Sequence, residues 1–384
     1  MRSPTRLAIL ALSFDDGGVE RSLVQLVRGL SARGVAVDLI VGRSHSPYLA
    51  ALPGAVRVLE APAGGSLRTV RWLTAYLREH RPDVLLSAKD PARRPLLWAA
   101  LLIWRRLAHC ATRVVFQAVT PLSVQLGERD PLRRGVERLW VRALYRAADV
   151  RLAVSNGVAR DLESLIGYEP GTVSVVPNPI VSDELNEQAA AAADHPWLQQ
   201  KDCPLVVAVG RLARTKDFST LLRAFALLRR ARAARLLILG EGRQRRRLQR
   251  LAEELGVADD VALPGFRANP YPYMAGADVL ALSSRREGFG NVLIEAMAVG
   301  TPVVATDCPY GPRDALDGGR YGTLVPVGDA RALADALAAT LDDEPAPERL
   351  REGAARYAVR TGVERFAQAT GCVLAAESVR TDAA

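Results

Sequence analysis

Short, unbroken apolar runs alternate along this chain with longer stretches in which apolar residues recur every three or four positions, and the alternation is played through twice. Residues 7–12 form the first apolar run and predict a buried strand. Leu23, Leu26, Val27 and Leu30 then fall on one face of a helix over 19–32, which Gly34 stops. Further strands are predicted at 35–41, 56–59, 84–87, 113–117, 150–154 and 173–176. After Pro177-Asn178-Pro179 the chain turns polar and alanine-rich, which marks a linker over 183–203 between a domain of 1–182 and one of 204–360. The second half restarts with strands at 205–209, 235–239, 261–263, 279–282, 303–305 and 322–325. Its helices include 219–230, carrying Leu221, Leu222, Phe225 and Leu228, and the very basic 243–255. Apolar strands separated by amphipathic helices predict two α/β domains, each a parallel sheet covered on both faces. A last helix over 361–376, in a closing segment 361–384, is placed to pack back across the first domain.

Composition narrows the class. Of 384 residues, 49% are hydrophobic and 24% charged, which suits a globular chain. The longest apolar segment, 95–104, is half of the roughly 20 residues a membrane-spanning helix needs. The N-terminus reads as a buried strand, not a signal peptide. Cys110, Cys203, Cys308 and Cys372 are scattered without a C-x-x-C, and His45, His80, His109 and His195 are equally dispersed. That pattern excludes a structural zinc site and a disulfide framework, and it suits a reducing cytoplasm. The net charge is +9, yet among 51 basic residues only Lys89, Lys201 and Lys216 are lysines. A chain so biased toward arginine makes each surviving lysine informative. The arginines are not interleaved with aromatics as in a nucleic-acid-binding motif, so no nucleic-acid partner is expected.

In open parallel sheets, ligands bind beyond the carboxyl ends of the strands, and three such loops carry chemistry. Phe14-Asp15-Asp16-Gly17-Gly18-Val19-Glu20 follows the first strand; its paired glycines let backbone N–H groups approach a phosphate or sugar at a helix start, though alone they are equally an ordinary turn. Gly210-Arg211-Leu212-Ala213-Arg214-Thr215-Lys216 leaves a strong strand, and Arg211 and Lys216 can converge on a diphosphate. The third loop runs Ser283-Ser284-Arg285-Arg286-Glu287-Gly288-Phe289-Gly290-Asn291-Val292, and Glu295 follows eight residues after Glu287. A helix starting near Gly290 offers the amides of Gly290, Asn291 and Val292 to a phosphate. It also carries Glu295 on an almost wholly apolar helix, where the carboxylate is either buried and paired or aimed at a ligand hydroxyl.

These segments resemble glycosyltransferase family 4. The likeness spans GGVERSL, PNPIV, GRLARTKDF, LGEGRQRRRL, LPGF, the E-x7-E segment, AVGTPVVATDCPYGPRDAL and GTLVPVGD, in that order. The resemblance implies an α/β, GT-B fold: two Rossmann-like domains facing each other across a cleft, with the C-terminal helix packing back on the N-domain. It implies that Gly17 and Gly18 face the donor and that Arg211 and Lys216 clamp its diphosphate. By the same likeness, Glu287 meets the transferred sugar, with Gly288, Phe289 and Gly290 shaping that turn. Asn291 and Val292 give amides to the phosphate, Glu295 takes the ribose hydroxyls, and Phe266 with Arg267 borders the base. The implied catalytic set is Glu287, Arg211 and Lys216. The implied activity is retaining transfer by same-face attack, with no cofactor and no metal; the substrate is a nucleotide diphosphate sugar, and the chain contains no D-x-D. DCPYGPRDAL is similar to members that use UDP-hexoses or UDP-N-acetylhexosamines.

Two departures stand out. Family members commonly carry a histidine after the strand equivalent to 113–117, where this chain reads VVFQAVTPLS; Gln117 and Thr120 are the acceptor-side candidates in its place. Asp314 stands where glutamate is commoner. A partner protein that keeps the fold without catalysis is the alternative from another class. A dehydrogenase is disfavoured because Gly240-Glu241-Gly242 is followed by RQRRR; those glycines read as a turn at the sheet edge. A phosphorylase needs a pyridoxal-bearing lysine, for which there are few candidates. The expected acceptor is a glycan or lipid-linked sugar of envelope synthesis. A peripheral contact with anionic membrane at the cytoplasmic face is suggested by Leu96, Leu97, Trp98, Trp104, Arg105 and Arg106 with Arg133, Arg134, Arg138, Trp140 and Arg142.

Overall fold

The computed structural model describes residues 5–14, 17–42, 46–63, 65–127, 129–343 and 345–375, the side chain of Ala92 excepted. The chain divides into two compact units, one made of residues up to Pro179 together with those from Val359 onward, the other of Ile180–Ala358. Among the described residues, thirteen strands fall where the apolar runs predict them. In the first unit these are β1 (Arg6–Ala11), β2 (Ala36–Val41), β3 (Arg57–Glu60), β4 (Val84–Ser87), β5 (Arg113–Ala118), β6 (Val150–Ala153) and β7 (Ser174–Val175). The second holds β8 (Leu205–Val209), β9 (Arg235–Leu239), β10 (Val261–Gly265), β11 (Val279–Leu282), β12 (Val303–Thr306) and β13 (Thr323–Val325).

The strands pair in parallel throughout, in the orders β3-β2-β1-β4-β5-β6-β7 and β10-β9-β8-β11-β12-β13. Each order reverses direction at its first strand, so each sheet has a switch point, between β1 and β4 in one unit and between β8 and β11 in the other. Central strands of such sheets are buried on both faces and read as unbroken apolar runs, as Leu7, Ala8 and Ile9 do, and likewise Val206, Val207 and Ala208, all fully buried. One polar exception is structural: Asp38 on β2 is bound by Arg57 from β3 and by the Tyr76 hydroxyl at 2.5 Å. Burial alone would push its carboxyl up, but the Arg57 and Tyr76 hydrogen bonds outweigh that and hold it below the usual carboxylate range.

The Gly18–Ala32 helix buries the predicted Leu23, Leu26, Val27 and Leu30 and ends at Gly34, whose φ of 77° continues the chain in the left-handed region. The last helix, Val359–Thr370, packs on it. A Cβ on Gly29 would come within 2.5 Å of Val363 Cγ2, so the contact needs a glycine despite its cost of about 1 kcal/mol within a helix. Val363 and Phe366 thereby close the first core. The chain leaves this helix at Thr370, six residues before the expected end; residue 376 of the expected helix lies outside the described residues, as do Asp15, Asp16 and His45.

The stretch expected to be a linker carries short helices at Leu185–Ala189 and Pro196–Gln199 and belongs to the second unit. Its polar, alanine-rich composition hides the anchors. Leu185 is buried, the Asn269 side-chain amide donates to the Gln188 carbonyl at 2.7 Å, and the Leu198 side chain packs on Gly276.

Candidate functional site

At the switch point of the second sheet, β8 runs into Gly210-Arg211 and β11 into Ser283-Ser284. Two long connections must pass here, and glycines make room for them. A Cβ on Gly240 would lie 2.0 Å from the Gly210 carbonyl oxygen, and one on Gly242 would lie 2.4 Å from that of Leu212. Their φ values, 140° and 155°, also exclude most other residues. Backbone bonds from Leu212 to Glu241 and from Gln244 to Leu212 then lock the two loops together. The sequence reading of Gly240-Glu241-Gly242 as a turn at the sheet edge is thus corrected. β9 is an interior strand, and these glycines let its exit pack on the loop after β8.

Lys216 and Glu287 meet at this point. Lys216 Nζ lies 2.5 Å from Glu287 Oε1, and the Ser284 hydroxyl donates to the same oxygen at 2.6 Å. Both charged side chains are mostly buried, and the support beneath them is hydrogen-bonded at every step. Ser283 Oγ donates to the Lys216 carbonyl, Thr306 Oγ1 to that of Ser284, and the Arg285 amide to that of Thr215. Cys308 is close enough to feel the carboxylate: burial and then the charge of Glu287 push its thiol up to about 12. Arg211, in the same loop as Lys216, is exposed, and no described acidic side chain pairs with it. The sequence expectation that Arg211 and Lys216 act as one clamp therefore takes a particular form here: one cation is held by a carboxylate and the other is open to solvent.

The Asn291–Ala298 helix begins beside this pair in the chain. Gly290 is its cap, with φ of 95°, and the Leu293 amide is already used by the Gly290 carbonyl. The amides of Asn291 and Val292 belong to the helix's first turn, which has no intrahelical acceptors. Gly288, Phe289 and Gly290 are buried, and Phe289 packs edge-on against Tyr357 at 5.1 Å. A Cβ on Gly311 would lie 2.6 Å from the Phe289 backbone, so this turn is pinned from behind. Glu295, one turn into the helix, is 3% exposed. Phe266 and Arg267 leave β10, two strands away from β8; Phe266 is exposed, while Arg267 Nε donates to the Tyr273 hydroxyl at 2.9 Å.

In the first unit, Gly17 caps the Gly18–Ala32 helix in an extended conformation, and the Ser22 hydroxyl bonds back to the Gly18 carbonyl. Gln117 ends β5 and is buried; Thr120 accepts from the Gln125 amide. His109 is exposed ahead of β5, at the opposite end of that strand from Gln117. Sequence reasoning missed Ser284, which donates to Glu287, and Thr306, which holds the Ser284 carbonyl. It also missed a second ion pair, Lys89 with Glu20. The rarity of lysine was the available signal for Lys89. Among the described residues no cluster of three or more His, Cys, Asp or Glu could hold a metal ion.

A parallel sheet of Rossmann order in each of two units is the architecture of the GT-B class of two-domain proteins, to which its structural neighbours belong. Residues 16–184 match the model of "Glycosyltransferase Family 4", and residues 192–357 that of "Glycosyl transferases group 1". The chain belongs to glycosyltransferase family 4. It is 32% identical over 359 residues to the phosphatidyl-myo-inositol mannosyltransferase of Mycobacterium leprae, covering 89% of this chain and 88% of that one. It is 29% identical over 344 residues to the lipopolysaccharide core biosynthesis glycosyltransferase LpsE of Rhizobium meliloti, covering 88% and 89%. Anabaena HepE in complex with UDP and glucose superposes with a TM-score of 0.76 at 19% identity, over 96% of this chain and all of that one. The protein is a glycosyltransferase. No helix among the described residues is long and apolar enough to cross a membrane.

Proposed function

We propose that this protein transfers a hexose or N-acetylhexosamine, with retention, from a UDP-sugar to a glycan or lipid-linked acceptor of envelope synthesis. The observation that carries the reading is the Lys216–Glu287 pair at the switch point of the second sheet, beside the start of the Asn291–Ala298 helix. In this reading the acceptor oxygen bonds to the anomeric carbon as the bond from that carbon to the diphosphate oxygen breaks. The electron pair goes to the diphosphate, and the acceptor proton goes to one of its oxygens. Lys216, Arg211 and the amides of Asn291 and Val292 stabilise the growing negative charge without a metal, as preorganised donors do. Glu287, held by Lys216 and Ser284, takes hydroxyls of the transferred sugar. Glu295 takes the ribose, Phe266 and Arg267 border the base, and in the first unit Gly17 and Gly18 give backbone amides to the donor. Residues up to Pro179 serve the acceptor and Ile180–Ala358 the donor. Support for UDP comes from Anabaena HepE, whose structure holds UDP and glucose; support for an envelope acceptor comes from the lipopolysaccharide and phosphatidylinositol enzymes among the relatives. Incubation of the purified protein with a panel of UDP-sugars should release UDP. Activity that survives Glu287→Ala would overturn this assignment of the site, and no activity with any nucleotide sugar would leave the non-catalytic alternative.

The membrane contact belongs to the same proposal, on a set of residues that only partly overlaps the one the sequence suggested. Leu97 and Trp98 are core, and Arg105 is bound to Asp149 and to the Thr112 carbonyl. The exposed stripe of the Pro95–Leu107 helix is Leu96, Ile103 and Leu107; that of the neighbouring Pro131–Ala147 helix is Leu132, Val136 and Leu139. The first set spans about 40° of helical arc and the second about 60°, and exposed Arg94, Arg106, Arg133, Arg134 and Arg138 lie on the same two helices or at their ends. Apolar stripes with arginines around them match an anionic bilayer surface.

A further inference from the structure

The switch point of the first sheet repeats, with the charges exchanged, the device at the switch point of the second. In the second unit the lysine follows the first strand of the pair and the carboxylate follows the fourth: Lys216 after β8, Glu287 after β11. In the first unit Glu20 follows β1, in the opening turn of the Gly18–Ala32 helix, and Lys89 follows β4. Lys89 Nζ lies 2.5 Å from Glu20 Oε1 and donates to the Ser13 hydroxyl at 3.2 Å. The Glu20 side chain is 5% exposed and that of Lys89 is 21% exposed. Thus two of the three lysines in an arginine-dominated chain sit at the two switch points, each against a buried carboxylate.

This second pair is costly to bury. Burying a carboxylate and an ammonium costs several kcal/mol per ion, and an apolar pair of similar volume would serve stability as well. Next to it lies a second unexplained group. Gln117, at the end of β5, is 8% exposed, and among the described residues its side-chain amide has no hydrogen-bond partner. It lines a small cavity with Val19, Ser22, Ala88 and Asn178, two of which adjoin Glu20 and Lys89 in the chain. The polar atoms of the amide keep some exposure toward that cavity, so they are available to a ligand.

We propose that Lys89, Glu20 and Gln117 form the subsite that holds hydroxyls of an uncharged acceptor sugar, an assignment that rests on the glycosyl-transfer reading above. The chemistry selects the ligand class. A carboxylate only accepts, an ammonium only donates, and an amide does both, so the three together satisfy adjacent hydroxyl groups, which also do both. A phosphate is a poorer fit here than at the second switch point: Lys89 is the one cation of the set and is paired with Glu20, whereas the Lys216 pair has exposed Arg211 in its own loop and a helix start beside it. Any diphosphate of a lipid-linked acceptor is then read elsewhere, and this subsite reads its sugar.

The test uses the full chain, octyl glycosides of common hexoses as uncharged probes, and hexose 1-phosphates as charged ones. Binding is followed by saturation-transfer NMR, so that it does not depend on turnover, and UDP affinity is measured separately by calorimetry. The wild type should bind octyl glycosides and not hexose 1-phosphates. Lys89→Met and Gln117→Leu should each weaken glycoside binding tenfold or more while UDP affinity changes less than twofold. Gln117→Leu, which removes the unpaired amide, should leave the melting temperature unchanged or raised, an outcome that a purely structural role for Gln117 does not produce. Glycoside binding unaffected by both variants, a preference for the phosphates, or a wild type that binds no glycoside overturns the assignment. Loss of UDP binding in the wild type would instead defeat the donor reading and leave the glycoside result to be judged by itself.

Discussion

Replacing Lys216 by methionine separates a catalytic cation from an ornamental one. The change keeps most of the side chain's length and removes its charge, leaving the Ser284 hydroxyl to donate to Glu287 at 2.6 Å. Breaking a deeply buried pair costs about 3–5 kcal/mol, but these side chains are 22% and 12% exposed, so solvent screening reduces the expected stability loss to about 1–2 kcal/mol. The effect on turnover should be larger. One preorganised donor aimed at developing charge is worth about 2.7–4 kcal/mol, which corresponds to about a 10²–10³-fold loss in kcat. Arg214, an exposed cation two residues away on the same short turn, is the control. Arg214→Met should lose less than about threefold, as a surface charge without a partner does. The assay is UDP release from the accepted UDP-sugar, paired with a melting curve to show that both variants remain folded at assay temperature. Equal losses in the two variants would refute the reasoning, as would a folded Lys216→Met protein with unchanged kcat.

Three other outcomes follow from single contacts. Gly240→Ala should lower the urea midpoint of unfolding by the equivalent of about 3–5 kcal/mol and weaken UDP binding with it, because its Cβ would lie 2.0 Å from the Gly210 carbonyl oxygen at a φ of 140°; an unchanged midpoint would show that the loops have slack. Asp38 has a depressed pKa, so its contribution to stability is present above its ordinary value of 3.8 and is lost as pH falls through its lower folded value. Calorimetry should therefore find Asp38→Asn less stable than wild type by about 1–3 kcal/mol at neutral pH, with the gap closing in strong acid; a gap independent of pH would contradict the assignment. The double variant Leu132→Asp, Leu139→Asp should release the protein from anionic vesicles in co-sedimentation without altering its melting temperature, since both side chains are exposed. Equal sedimentation of wild type and variant would remove the membrane face.

The sheets were legible because central parallel strands must be apolar on both faces, so each one interrupts the helical periodicity. Residues 205–209, 235–239 and 279–282 coincide with β8, β9 and β11 for that reason. Strand ends shifted by a residue or so where hydrogen bonding, not burial, sets the limit, as at β1 and β10. The 183–203 segment misled because alanine-rich polar stretches look like linkers whenever their few anchors are far away in sequence. Leu185 and Leu198 are two such anchors, and the packing of Leu198 on Gly276 is visible only in three dimensions. At the site, the helix start at Gly290 and the interest of Glu287 and Lys216 could be read from glycine placement and charge. Their direct contact could not, because 71 residues separate them. Pairs of that kind depend on strand order, and strand order is not written in local periodicity. The Lys89–Glu20 pair was hidden in the same way.

The boundaries of the second unit carry a consequence of their own. The amides of Ile180 and Val181 both donate to the Tyr357 carbonyl, at 3.0 and 3.1 Å, and Val181 bridges Ala358 in parallel, so the segment's entry and exit run side by side. The remainder of the chain is interrupted at one seam, and Val359–Thr370 then supplies the piece its core still lacks. A module stitched in at a single seam is suited to transplantation. If the proposed donor role is right, swapping this segment whole between related chains should change donor preference and leave intact the half into which it is grafted.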